Sequence, residues 1–339
     1  MTESLLTAND RQPQLVKRLQ GLIDHNELVH AYLLVGPSGS GKKLLAQWVA
    51  LRLFCLSPVN SQPDLTCDEC QRILSNNHPD VVVAGPDGRQ IKVDQIRHLK
   101  DEFSKSSVEG RQKVFIIEDA EKMTVNAANS LLKFIEEPGT DIYIFLLTTN
   151  KNAILPTIQS RTQIIELQPV SDEVGRELMT QAQIPDYLQP VIWGLTKSVD
   201  QAQSLLENDW LGQVVKLLVP WVQKLAGEDW LAFVEVQTKW MPLAIDRAHQ
   251  QVIFDLIMLV VRDLLFIKQG VATNLIHFQQ WYQPLSEVVS RLSSEQILFI
   301  SERTLGLRHQ LDQNINFQNI LEQFVLQCFT RLGGYHRGA

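Results

Sequence analysis

The sequence predicts a doubly wound α/β domain followed by a wholly helical region. Three observations carry the prediction. Residues 31–35, 113–117 and 141–149 are short, nearly unbroken apolar runs, the pattern of strands buried on both faces of a parallel sheet. Segments with apolar residues at helical spacing lie between these runs, so strand and helix alternate as a doubly wound sheet requires. Beyond Pro169 the strand pattern stops, and apolar residues recur every three to four positions instead. A chain of 339 residues, 45% hydrophobic and 20% charged, has the length and composition of two or three soluble domains.

Residues 12–23 place Leu15, Leu19, Leu22 and Ile23 on one helical face, which predicts a packing helix leading into the first strand. That strand ends at Gly36, and the run Gly36-Pro37-Ser38-Gly39-Ser40-Gly41-Lys42-Lys43 opens a helix. Strand, glycine-rich loop, lysine and helix in this order form a phosphate-binding loop, whose amides and helix N-terminus cradle phosphate oxygens. Gly36, Gly39, Gly41, Lys42 and Lys43 are its candidate phosphate contacts. The last position departs from the pattern. A hydrolysing loop ends in Ser or Thr, whose hydroxyl ligates Mg²⁺, and the ammonium of Lys43 cannot ligate a cation. The sequence therefore leaves ATP binding open and predicts no metal-assisted hydrolysis.

After the loop helix comes Cys55, then Cys67-Asp68-Glu69-Cys70. The polar N-terminus lacks a signal-peptide pattern, so a cytoplasmic protein is expected, and there Cys-x2-Cys with a third cysteine nearby points to a structural Zn²⁺. Zinc takes four ligands, which leaves the fourth to Asp64, His78 or a residue that the sequence does not single out. Cys328, far off in sequence, reads as a core residue. A second, short apolar strand is expected at 81–84, and Asp94 is a candidate N-cap for a helix carrying Ile96, Leu99 and Phe103 inward. The strand at 113–117 ends in Glu118-Asp119, the place where one carboxylate holds Mg²⁺ and the next polarises the attacking water. The customary order is Asp then Glu, so the inversion lengthens one arm and shortens the other. A helix at 126–137 follows, and the fourth strand ends near Thr149, placed to sense a γ-phosphate. A short helix at 154–161 and a fifth strand at 162–167 complete the domain.

The change of pattern divides the chain into 1–168, a small three-helix segment 169–207, and an all-helical region 208–339 with breaks expected near Pro220, Pro242 and Pro284. Six of the seven tryptophans fall in the helical part and read as packing residues. Its most apolar stretch, 252–268, is interrupted by Asp255, Arg262 and Asp263, which predicts a buried helix and no membrane span. The net charge is −7, with 18 basic and 20 acidic residues up to Gln168 and 13 and 18 after it. Neither part has the basic surplus of a chain that binds nucleic acid unaided, so any DNA contact is expected to depend on partner subunits.

Several of these motifs together resemble the clamp-loader branch of the AAA+ family. They are His30-Ala31-Tyr32-Leu33-Leu34, the cysteine module after the loop helix, Val93-Asp94-Gln95-Ile96-Arg97, the run from Asn129 to Pro138, and Ser160-Arg161. The resemblance covers most of 12–168 by motif and the remainder by architecture. It implies an AAA+ domain at 1–168, a lid at 169–207 and an oligomerisation collar at 208–339. It further implies a place in the DNA polymerase III holoenzyme, beside delta and gamma/tau subunits in a ring that loads a sliding clamp on primed DNA. For this chain it implies a rigid subunit without ATPase activity of its own. The family frame Cys-x8-Cys-x2-Cys-x2-Cys falls on Cys55, Asp64, Cys67 and Cys70, which makes Asp64 the implied fourth ligand; Thr162 replaces the cysteine of the family's Ser-Arg-Cys triplet. Arg161 is the implied arginine finger, acting in trans on a neighbour's ATP; the plainer account has it pairing with Glu166 or capping the preceding helix. Two other readings stay open: an ATP-hydrolysing motor of the gamma/tau kind, for which the loop and Thr149 argue, and an interaction scaffold that binds no nucleotide.

Overall fold

The apolar runs pair into one five-stranded, all-parallel sheet with the order β2-β3-β4-β1-β5. Its strands are β1 (Ala31–Val35), β2 (Val81–Ala84), β3 (Lys113–Ile117), β4 (Ile142–Thr148) and β5 (Gln163–Glu166). The computed structural model describes residues 8–88, 90–104, 112–137, 139 and 141–333, and the chain divides into two units, 1–174 and 175–339.

In the first unit, helices on both faces explain why the strands lack polar alternation. Tyr32, Leu34, Val114, Ile116, Phe145 and Leu147 face one way, into a core with α1 (Pro13–Asp24) and α2 (Lys42–Phe54). Ala31, Leu33, Phe115, Ile117, Ile144 and Leu146 face the other, against α4 (Val93–Ser104) and α5 (Val125–Glu136); α3 (Asp68–Leu74) belongs to the cysteine module. Register Tyr32↔Phe145 stacks those two rings with centroids 5.4 Å apart. Thr124 starts α5 one residue earlier than the pattern suggests, because its side chain accepts the Ala127 N–H at 3.2 Å. Asp94 is not a cap: α4 begins at Val93, and Asp94 sits in the first turn, 3.1 Å from Arg97.

The second unit has one continuous core, which runs from Met179, Ile184 and Val191 to Trp221, Trp240, Ile257 and Phe324. The long helix Trp210–Ala226 passes straight through Pro220 and does not break there. An interior proline costs about 3 kcal/mol. Leu218, Val219, Trp221 and Val222, all buried around it, offset that loss. Pro284 lies in the first turn of Tyr282–Arg291, where its missing N–H costs little. The helical path does end at Leu243, just after Pro242. Among the described residues no helix is long and apolar enough to cross a membrane. Asp263, which interrupts the most apolar stretch, is fully buried and accepts the N–H groups of His277 and Phe278, each at 2.8 Å.

The tryptophans divide. Trp221 and Trp240 are fully buried and meet edge to face at 5.3 Å, and Trp221 Nε1 donates to Ala232 O at 2.8 Å. Trp230, by contrast, is 63% exposed and is no core residue. Trp221→Ala is expected to lower stability by about 3 to 5 kcal/mol, read from the urea midpoint of the helical unit's tryptophan fluorescence.

Candidate functional site

The loops leaving β1, β3 and β4 gather at the carboxyl edge of the sheet. Gly36 follows β1 directly, where a Cβ would lie 2.8 Å from Ser40 Oγ and 3.0 Å from Leu167 Cβ, so no other residue fits without a shift. Gly41, at φ +90°, turns the chain in the left-handed region into α2. Residues ahead of α1 close over this loop. Arg11 Nη1 donates to Gly39 O at 3.1 Å, and Gln12 Nε2 donates to Ser40 O at 3.0 Å and to Gln168 O at 2.7 Å. Sequence reading gave Gln12 no role, since one polar residue before an amphipathic helix carries no signal of its distant partners.

Lys42 folds back on its own loop, donating to Gly36 O at 2.7 Å and Pro37 O at 2.9 Å. Burial pushes its ammonium below the usual lysine range, and the charges of Glu121 and Asp119 push it back. Lys43 Nζ lies 2.8 Å from Glu118 Oε1, a half-exposed pair that contributes little stability. Asp119, in the left-handed region at φ +49°, pairs with Lys122 at 2.8 Å. The two adjacent carboxylates thus go to two different lysines.

Thr149 is also engaged. Its Oγ1 donates to Glu121 Oε1 at 2.7 Å and its N–H to the same oxygen at 3.2 Å. Glu121 escaped sequence reading, although the short 3-10 turn Ala120–Lys122 after β3 is what returns this third acid to the end of β4. Burial raises the pKa of its carboxyl, but hydrogen bonds from Thr149 and Thr148 outweigh this and leave it below the usual glutamate range. A depressed folded pKa stabilises above the unfolded value of about 4.3, and this contribution is lost as pH falls through the folded value. Glu121→Gln is therefore expected to flatten the fall in stability below about pH 4.3, measured as urea midpoints across that range.

Arg161 stands just beyond the short helix α6 (Pro156–Gln159). Its Nε reaches Glu136 Oε1 at 2.6 Å, and Nη1 donates to Thr157 O at 3.0 Å and Ser160 Oγ at 3.3 Å. Glu166 is not its partner, because that carboxylate pairs with Lys151 at 3.0 Å. The carbonyl of Thr157 does receive a cap from the guanidinium, as the plainer account expects.

The cysteine module joins three stretches. Cys55 follows α2, Cys67 precedes α3, Cys70 lies in the first turn of α3, and the loop between brings in Asp64. One ligand atom from each lies within 4.8 Å of all the others, so the four could hold a metal ion. Asp64 Oδ1 accepts the amides of Thr66 and Cys67, both at 3.2 Å, and Oδ2 accepts from Ser57 Oγ at 3.0 Å. Partial burial pushes the Asp64 carboxyl up, but these bonds outweigh it and hold the group ionised, well below the usual range. Burial pushes the Cys55 and Cys70 thiols up, and the neighbouring thiols add to the effect at Cys70. A divalent cation supplies the positive charge that thiolates this close together require. A tetrahedral zinc with bonds of about 2.0 to 2.3 Å has ligand edges of about 3.3 to 3.8 Å, so the donor set fits after closing by about 1 Å. His78 stands outside the set: Nδ1 accepts the Asp80 N–H at 3.1 Å, and Nε2 lies 2.7 Å from Glu69 Oε2. Cys328 is buried in the helical core, and burial pushes its thiol up to about 12.

The first unit thus carries a phosphate loop on a five-stranded parallel sheet with a cysteine insert after the loop helix, and the second unit is helical. A family model described as DNA polymerase III, delta subunit, matches residues 11–171. DNA polymerase III subunit delta′ of Bacillus subtilis is 34% identical over 318 residues, 94% of this chain and 96% of that one. The delta′ subunit of Pseudomonas aeruginosa is 40% identical over 152 residues, 44% of this chain and 45% of its own length. Among solved structures, a DNA polymerase III gamma subunit-related protein from Thermotoga maritima is 19% identical, with a TM-score of 0.46, over 94% of this chain and 100% of that one. The chain belongs to the family of DNA polymerase III subunit delta′.

Proposed function

We propose that this chain is the non-hydrolysing subunit of a cytoplasmic DNA polymerase III clamp loader, helping to place a sliding clamp on primed DNA beside delta and gamma/tau subunits. The observation that carries the reading is the 2.8 Å pair between Lys43 and Glu118. In a working site the loop hydroxyl and a carboxylate after β3 hold Mg²⁺ against the β- and γ-phosphates. Here an arriving cation would meet a fixed ammonium already neutralised by that carboxylate. Asp119 is held by Lys122 and Thr149 by Glu121, so the groups that would polarise water or sense phosphate are engaged as well. The gamma/tau-like motor reading loses its support from Thr149 on this account.

In this reading residues 169–207 act as the lid and 208–339 as the collar. Cys55, Asp64, Cys67 and Cys70 hold a structural Zn²⁺, which when bound cross-links the module and takes no part in chemistry. Arg161 reaches in trans to a neighbour's ATP. Its half-exposed guanidinium is steadied by Glu136 and Thr157, while Nη2 makes no hydrogen bond among the described residues.

The test is ATP turnover by the isolated chain. It is expected to lie far below about 1 s⁻¹, the low end of ordinary enzyme rates. Lys43→Thr alone should not restore it, because the inverted Glu118-Asp119 order remains. Turnover near that rate in the unmodified chain overturns the reading.

A further inference from the structure

The cysteine module is gripped by a side chain that ligates nothing. His78 is only 4% exposed. Its Nδ1 accepts the Asp80 N–H, so the ring proton sits on Nε2, facing Glu69 Oε2 at 2.7 Å though off the axis of a straight hydrogen bond. Glu69 lies between Cys67 and Cys70 on α3. The imidazole also meets the ring of Phe54, with centroids 4.4 Å apart, and Phe54 immediately precedes Cys55. One ring therefore touches both ligand-bearing arms. It is itself tied to the sheet, since Asp80 O accepts the Val114 N–H of β3 at 2.9 Å.

We propose that His78, through Glu69 and Phe54, is the positioning residue of the metal module, holding Cys55 in register with Cys67 and Cys70 before an ion binds. The inference rests on the zinc reading of those ligands. The physical need is clear from the elements involved. A helix of seven residues such as α3 has little stability of its own, and the stretch between Cys55 and Cys67 forms no helix or strand. It is held by the β-bridge Val59↔Gln62 and by side-chain hydrogen bonds such as Trp48 to Gln62 and Arg52 to Ser61 O, neither of which reaches α3. Arms free to drift would have to be ordered by the metal, and that ordering would be subtracted from its affinity. Groups that orient ligands without touching the metal typically change its affinity by about 10- to 100-fold.

The experiment is a Co²⁺ titration of the full-length chain under reducing conditions, followed by competition with Zn²⁺. The visible Co²⁺ spectrum reports which atoms ligate, and the competition reports affinity. His78→Ala is expected to keep the wild-type spectrum and stoichiometry while losing about 10- to 100-fold in affinity for both ions. His78→Gln, which keeps an N–H for Glu69, should recover part of the loss. Should His78→Ala fail to fold, His78→Asn keeps an acceptor for Asp80 but is too short to place an N–H at the Nε2 position, and should show the same loss. Glu69→Ala should match His78→Ala, and the double variant should be little worse than either. Unchanged affinity in His78→Ala or His78→Asn overturns the proposal, and so does an altered spectrum, which would make His78 a ligand. If the wild-type chain binds neither ion, or Cys67→Ser binds them as well as wild type, the zinc reading fails and takes this proposal with it.

Discussion

Arg161→Ala, in a reassembled clamp loader, is expected from the proposed trans role to slow ATP hydrolysis at one neighbouring site by a factor on the order of 10³ to 10⁵. A guanidinium suits that task because it stays charged and forks onto phosphate oxygens as charge redistributes in the transition state. The contacts with Glu136, Thr157 and Ser160 restrain the side chain in advance, which reduces the entropy lost when it engages. On the proposed role only one site of the complex loses its finger, so DNA-stimulated turnover of the whole complex should fall only in part, while clamp loading falls further. Both are measured on a complex whose assembly is verified by gel filtration. Because Arg161 also caps α6, its removal should cost the isolated chain no more than about 1 kcal/mol, which separates a catalytic loss from misfolding. Wild-type loading and turnover in the assembled variant would leave Arg161 as a surface cap and partner of Glu136.

Cys70→Ser is expected to abolish stoichiometric zinc binding, with content falling from about one equivalent to a small fraction. Structural zinc contributes apparent binding free energies of about 10 to 16 kcal/mol in isolated zinc-finger peptides, much of it spent on folding. Here the module sits beside a sheet with its own core. Cys70 belongs to the apolar cluster that includes Leu51 and Ile73, so the sheet should survive metal loss while the cysteine module loosens. Hydrogen exchange should rise around 55–74 in Cys70→Ser and in chelator-treated wild type, with little change at β1, β3 and β4. Asp64→Ala should weaken zinc binding less severely than Cys70→Ser, and Asp64→Cys should favour softer ions such as Cd²⁺, because a thiolate is a softer donor than a carboxylate. Less than about a tenth of an equivalent of zinc in wild-type protein purified without chelator would contradict the assignment.

Short-range pattern was enough for the sheet, the phosphate loop and the cysteine frame. A strand buried on both faces must be apolar throughout, and a loop that passes close against Ser40 and Leu167 and then turns through the left-handed region requires Gly36 and Gly41. The broken loop at Lys43 and the inverted acids at Glu118 and Asp119 were legible for the same reason, since each is a departure from a local spacing. Which side chains answer one another was not legible. Glu121 meets Thr149 and Arg161 meets Glu136 across separations of 28 and 25 residues, and Gln12 spans 156 residues to Gln168. Nothing in the neighbourhood of either partner marks such a pair. His78 and Asp64 show the limit most directly. As residue types both are good zinc ligands, but a nitrogen whose lone pair already accepts a backbone N–H cannot also bind metal, and only the folded chain shows which of the two is taken. Pro220 and Trp230 fall under the same rule: helix continuity and exposure depend on how much apolar surface the rest of the fold brings to them, a sum over distant residues that local spacing does not contain.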